Sequence, residues 1–201
     1  MNALVINDNE YQVPTDVSIS KWMEAAKVAG TPDSYISVLI DCPVEEVAIV
    51  PEDTKVLVMA FLHQLCFPSF SYKKSQAVDF NKLTFSDFID CEVYIDRGLE
   101  NHLKDIMSVI VKDYNDSLNM SQVWSVYQSF LNWRNAFYYN YKNLFNLNVE
   151  REESEGKKES AAMVWYNVVM VVCEGDITKM DEVLEMPVSK VMNWLAWNKD
   201  Q

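Results

Sequence analysis

Only four glycines punctuate this chain of 201 residues, at positions 30, 98, 156 and 175. Glycine supplies the left-handed backbone that tight reversals require. With six prolines besides, the chain has few of the sharp turns that a many-stranded sheet needs, so long helices are the expectation. The same scarcity excludes whole classes of chemistry. A phosphate-cradling loop, a dinucleotide fingerprint and a GxSxG nucleophile elbow each need glycines grouped at fixed spacing. Here they are scattered.

The apolar pattern supplies the helices. Leu4-Val5-Ile6 and Tyr11-Gln12-Val13 flank the turn residues Asn7-Asp8-Asn9-Glu10, which predicts a β-hairpin. Ile19, Trp22, Met23 and Ala26 recur at helical spacing behind Asp16 or Ser18 as cap, with Gly30 as the C-terminal cap. Thr31-Pro32 restarts a helix through Tyr35, Ile36 and Leu39. Residues 44–47 read as one helical turn, and Pro51-Glu52-Asp53 opens another helix. Residues 56–65 are apolar nearly all round, so that helix is expected at the buried centre of the N-terminal half. Thr84 and Asp87 read as an acidic capping box, with Phe85, Phe88, Ile89 and Glu92 following on helical spacing.

Beyond Gly98, a stripe of Leu99, Leu103, Ile106, Met107, Ile110 and Val111 predicts a strongly amphipathic helix. Ser121 is the expected cap of a long aromatic-rich helix reaching Phe145. Trp165, Val168, Val169 and Val172 form the inward side of the next helix, which Gly175 ends. A short helix over 176–184 and a last one opened by Pro187 complete the chain. The predicted fold class is mainly α with a small N-terminal β-hairpin, in a multi-helix, bundle-like arrangement. By sequence the chain divides into 1–80 (hairpin and helices), 81–148 (central helices), 149–160 (a charged linker) and 161–201 (C-terminal helices). All of these can also form one compact domain. Limited proteolysis is expected to cut first near Arg151 or Lys157-Lys158 in the linker.

Thirty acidic residues oppose 17 basic ones, a net charge of −13. That sign repels phosphate backbones, so nucleic acid is not an expected partner. No apolar run approaches the roughly 20 residues of a membrane-spanning helix, and Met1-Asn2-Ala3-Leu4 opens no signal peptide. Neither membrane insertion nor export is therefore expected. Cys42, Cys66, Cys91 and Cys173 stand far apart with no CxxC, which reads as four reduced, buried thiols.

Residues with chemical potential are few. His63 and Cys66 stand three apart in one helix, and such a pair can form a thiol nucleophile or half a metal site. The plainer reading is a core-edge histidine beside a buried thiol. Asp87, Asp90, Glu92 and Asp96 can hold a cation or do acid–base work, or simply form a solvated helix face. No cofactor and no metal is expected, and the chain is read as not an enzyme.

Two stretches carry a family resemblance. One is Leu83-Thr84-Phe85-Ser86-Asp87-Phe88-Ile89-Asp90-Cys91-Glu92-Val93-Tyr94 with the helix after Gly98. The other is Trp165-Tyr166-Asn167, then Gly175-Asp176-Ile177-Thr178-Lys179-Met180-Asp181-Glu182-Val183, Met186-Pro187-Val188 and Leu195-Ala196. Together with the hairpin and Lys21-Trp22, this order resembles small acidic proteins of tailed bacteriophages, of the baseplate-hub or tail-assembly-chaperone kind. Ser86 and Asp87 stand where that group carries glycine and then glutamine or glutamate. Val111-Lys112-Asp113-Tyr114 replaces its apolar-basic segment ending in proline.

The resemblance implies a non-catalytic virion or assembly protein acting through protein–protein contacts, in the virion or, during assembly, in the host cytoplasm. The implied partners are other phage structural proteins, with a homo-oligomer in a symmetric ring as a further expectation. The alternative is an acidic phage protein that binds and inhibits a host factor. Aromatic side chains and arginine anchor interfaces. The partner-binding candidates are accordingly Phe67, Phe70 and Tyr72 in an aromatic loop over 67–80, and Trp133, Arg134 and Tyr139 off the main stripe of the long helix. The same six residues can instead form a second packed face of the helical domain.

Overall fold

The hairpin turns on Asn7 and Asp8, whose φ angles are 48° and 63°. Short polar side chains tolerate this left-handed region, and two consecutive positive φ values match the twist of paired strands. Strand β1 (Ala3–Ile6) pairs antiparallel with β2 (Asn9–Gln12), with Ile6 opposite Asn9 and Ala3 opposite Gln12. Asn9 and Glu10 are thus in the second strand, which leaves a two-residue turn.

The computed structural model describes residues 3–67, 77–115, 118–145 and 160–199. Among these, 69% are helical, with ten α-helices and the one hairpin. The protein is mainly α with a small N-terminal β element. The helices are α1 (Ile19–Lys27), α2 (Pro32–Ile40), α3 (Val44–Ala48), α4 (Glu52–Cys66), α5 (Phe85–Arg97), α6 (Leu99–Ile110), α7 (Met120–Asn140), α8 (Ala161–Val172), α9 (Met180–Leu184) and α10 (Val188–Lys199). Most of the predicted linker, residues 149–159, lies outside the described residues; Ser160 is described as the cap of α8.

Two compact units emerge, and each is discontinuous in sequence. One is Met1–Gln76 with Gly98–Gln128; the other is Ala77–Arg97 with Ser129–Gln201. In the first unit, the Ser18 hydroxyl accepts from Lys21 N at 3.2 Å and starts α1; Thr31 accepts from Ser34 N at 3.3 Å and starts α2. Gly30 is not the cap of α1, because the helix already ends at Val28. Helix α1 packs on α2 and α6, burying Ile19, Trp22 and Met23 with Leu103, Ile106, Met107 and Ile110. Met120 N bonds Val17 O at 2.6 Å, which ties the start of α7 to the start of α1.

Helix α7 begins at Met120, capped by a reciprocal pair. Gln122 N donates to Asn119 Oδ1 at 3.0 Å, and Asn119 N donates to Gln122 Oε1 at 3.2 Å. Ser121 is therefore already inside the helix. The helix ends at Asn140, and residues 141–145 continue as turns.

In the second unit the capping box at α5 closes in both directions: Asp87 N to Thr84 Oγ1 at 3.0 Å, and Thr84 N to Asp87 Oδ2 at 3.2 Å. Thr84 also forms a bridge with Pro187. Phe85 N reaches Met186 O at 2.7 Å and Val188 N reaches Leu83 O at 3.0 Å, so the starts of α5 and α10 share backbone bonds. Phe88, fully buried, is the aromatic centre of this unit. The rings of Trp133, Phe137, Tyr138 and Trp165 lie 5.2–6.1 Å from it, centre to centre.

Candidate functional site

The thiols come first, because a nucleophilic cysteine would make the protein an enzyme. Cys66 lies on the buried seam of α4 with Val58 and Leu62, whereas His63 faces outward and sets its ring 4.7 Å from that of Phe67. The two do not meet. Cys66 instead takes the Tyr35 hydroxyl at 3.8 Å, and burial pushes its thiol up to about 11. A thiol so placed is protonated at neutral pH and is a poor nucleophile. Burial also raises Cys42, Cys91 and Cys173, all of them enclosed.

The carboxylates of α5 do not form one site either. Asp87 is engaged in the capping box, and Asp96 accepts from Ala161 N at 3.2 Å. Burial, then the Asp87 charge, raises Asp90 above the usual carboxylate range. Glu92 turns inward rather than forming part of a solvated face. It is buried and receives a two-pronged contact from the Arg134 guanidinium, whose Nη2 donates to Oε2 at 2.6 Å. Among the described residues no group of three His, Cys, Asp or Glu is placed to hold a metal ion.

The interface candidates fall in different surroundings. Phe67 packs edge-on against Trp22 and Trp124, at 6.1 and 4.7 Å between ring centres. Phe70 and Tyr72 lie outside the described residues. Trp133 is half-buried among Phe80, Phe88, Phe130 and Phe137, and its Nε1 donates to Asn81 Oδ1 at 3.2 Å. Arg134 serves Glu92 and also covers the Tyr138 ring at 4.8 Å. Tyr139 differs: it is 68% exposed, with Lys142 over its ring at 5.0 Å.

Two helices expose grouped apolar side chains. On α4, only the seam of Lys55, Val58, Leu62 and Cys66 is buried; the expectation that this helix is enclosed all round is wrong. Its outer face runs Glu52, Asp53, Val56, Leu57, Ala60, His63 and Gln64. Lys55 explains how a charge sits on the inner seam, because its Nζ meets Asp33 at 2.8 Å and Ala48 O at 3.2 Å. On α8, Trp165 and Val169 are buried while Met163, Val164, Tyr166 and Val171 stay exposed. A groove of about 270 Å³ in the second unit is lined by Val172, Val183, Met186, Val191 and Trp194 with Glu174, Glu182, Lys179 and Lys190. That lining holds no histidine, thiol or hydroxyl.

Sequence signals for these features existed. Glu92 falls on the apolar spacing of Phe85 and Phe88, and a lone acid on a buried stripe calls for a cation. Helix α8 carries no charged residue, so no side of it is built for water. Among the described residues no single helix is long and apolar enough to cross a membrane. Comparison with protein-family models, with curated proteins and with solved structures gives no match.

Proposed function

We propose that the chain is a non-catalytic structural or assembly protein of a tailed bacteriophage, working through protein–protein contacts in the tail or baseplate. The phage setting rests on the resemblance of the 83–94 segment and the 165–196 tail. The observation that carries the contact-based reading is the outer face of α4. Scattered apolar side chains on a surface need no explanation, but a grouped set rimmed by polar residues marks an interaction site. Val56, Leu57 and Ala60 form such a group, next to Glu52 and Asp53 on the same face. The acids on this face are Glu52 and Asp53, its other titratable group is His63, and the one lysine of the helix, Lys55, is buried and paired with Asp33. A partner segment with apolar and basic side chains complements that surface, and electrostatic attraction would speed and orient the encounter.

The test is mass spectrometry of purified particles and tail intermediates of the phage that encodes the chain, with affinity capture on wild-type and Leu57→Glu protein. The expected result is the chain in particles or intermediates, and capture of a tail protein that L57E loses. Absence from both, with stoichiometric capture of a bacterial protein, would replace this proposal with the host-factor inhibitor.

A further inference from the structure

The groove of the second unit, formed where the end of α8, α9 and α10 meet, has an apolar floor and a charged rim. Val183 and Val191 are buried in the floor, and Trp194 is half-buried beside them. The indole of Trp194 is unlike most others in the chain. Trp22, Trp124, Trp133 and Trp165 each pack on another ring. Trp194 has no ring or hydrogen-bond partner among the described residues.

The rim carries Glu174, Glu182, Lys179 and Lys190, two charges of each sign in a chain of net charge −13. Lys179 faces Glu174 at 3.7 Å, and both are exposed, so the pair holds neither group tightly. Glu182 and Lys190 are also exposed, and they make no ion pair or hydrogen bond with each other or with any other described residue.

Glu174 is held at the rim against the preference of its backbone. Its φ is 54°, and among the described non-glycine residues of positive φ it alone is neither Asn nor Asp. It sits in a Schellman turn that ends α8: Gly175 N bonds Met170 O at 3.0 Å, and Glu174 N bonds Val171 O at 3.1 Å. Glycine is the usual residue there, because a Cβ makes left-handed backbone unfavourable. Backbone strain kept at a cleft points to a use for the side chain.

From these features we infer that the groove binds a free apolar α-amino acid. Its side chain lies on Trp194, Val183 and Val191, its carboxylate meets Lys190, and its ammonium meets Glu182 and Glu174.

Charge and size select this occupant. A zwitterion answers both signs on the rim. An anion is opposed by the field of a strongly acidic chain, and a simple cation leaves Lys190 unanswered. An internal peptide segment brings neither charged group, since both are consumed in peptide bonds. The volume of about 270 Å³ falls just below the roughly 300–1,000 Å³ of sites for drug-sized ligands, which suits one large amino acid. The inference does not depend on the phage assignment.

The experiment is an NMR titration of the full chain, following the indole N–H signals of its six tryptophans. Trp194→Phe identifies the signal of Trp194. The probes are L-phenylalanine, phenethylamine, 3-phenylpropionate and N-acetyl-L-phenylalanine amide. L-Phenylalanine should shift the Trp194 signal saturably, with a dissociation constant of about 1 mM or tighter. The other three probes, each lacking one or both charges, should bind at least about fivefold more weakly. Lys190→Met, Glu182→Gln and Glu174→Gly should each weaken L-phenylalanine at least about threefold. Glu174→Gly should do so while raising the melting temperature, because glycine accepts the left-handed backbone; a purely structural glutamate would not couple the two. Circular dichroism checks that each variant is folded. No saturable Trp194 shift below about 10 mM L-phenylalanine overturns the inference. So do one-charge analogues that bind as tightly, which would leave only an apolar patch, or rim variants that bind as wild type does. Equal binding of the N-acetyl amide would assign the groove to a peptide chain and overturn it likewise.

Discussion

Replacing Trp133 by alanine tests whether this aromatic is structural or held out for a partner. Its indole is half-buried, with the rings of Phe80, Phe88, Phe130 and Phe137 at 5.1–6.1 Å between centres. Truncating a buried Phe or Trp costs about 3–5 kcal/mol, and incomplete burial places Trp133 near the lower end. Offset and edge-on ring pairs add about 0.5–1.5 kcal/mol beyond area, part of which the other rings recover by repacking. The Nε1 bond to Asn81 is solvent-exposed and contributes about 0.5 kcal/mol. The expected loss for Trp133→Ala is about 3 kcal/mol, and for Trp133→Phe, which keeps a ring and loses the bond, about 1 kcal/mol. Urea unfolding followed by far-UV circular dichroism, with linear extrapolation, reads both values. A loss below about 1 kcal/mol for the alanine variant would show that the ring cluster does not hold the second unit together. Trp133 would then return to the surface as a docking residue.

Arg134→Ala should leave the Glu92 carboxylate buried without its cation and cost about 3 kcal/mol, while Arg134→Met combined with Glu92→Met should recover most of it; the same urea assay checks this, and an unchanged single variant would refute it. Asp90→Asn should raise the melting temperature at pH 7. Burial and Asp87 raise the folded-state pKa of Asp90, so its ionised form opposes folding above that pKa and its protonated form does not. The gain should fade as pH drops to about 3, and a gain that persists there would mean a cause other than ionisation. Ellman's reagent should find no reactive thiol in the native protein and four after denaturation. Rapid native labelling of Cys66 would reopen the thiol-enzyme reading.

What could be read from the chain was local chemistry. Ser18, Thr31, and Thr84 with Asp87 announce helix starts because their side chains bond backbone groups within three residues. Asn7 and Asp8 announce a turn by their tolerance of left-handed backbone. The misreadings have one cause. At the start of α7, Asn119 and Gln122 form the reciprocal cap, and Ser121, chemically as suitable, lies between them. Where two cap residues stand this close, the bond made by Met120 N to Val17 O decides, and that bond joins residues 103 positions apart. The same holds for α4: apolar residues on every side say that burial is favourable, not which neighbour provides it. Lys55 took the inner seam because Asp33 and the Ala48 carbonyl receive its ammonium, while Val56 and Leu57 stayed outside. As for the interface candidates, composition marked Trp133 and Arg134 as anchors, but an anchor is equally at home inside its own unit.

The interleaving of the two units bears on how the protein is made. The first unit needs Gly98–Gln128 as well as Met1–Gln76, so a ribosome must add 52 further residues after Gln76 before that unit can close. At about 5–20 residues per second this is an interval of roughly 3–10 s. During it, α1 has made α2 but not yet met the Leu103–Ile110 side of α6. Residues 77–97, already synthesised, must wait longer still for the segment beginning at Ser129. No stop codon or protease cut at a single point can release either unit free of residues that belong to the other: ending the chain at Gln128 keeps residues 77–97 with the first unit, and starting it at Ala77 keeps residues 98–128 with the second. A nascent chain of this design exposes Ile19, Trp22 and Phe88 for much of its synthesis, which makes its yield sensitive to the holding chaperones of the cell that produces it.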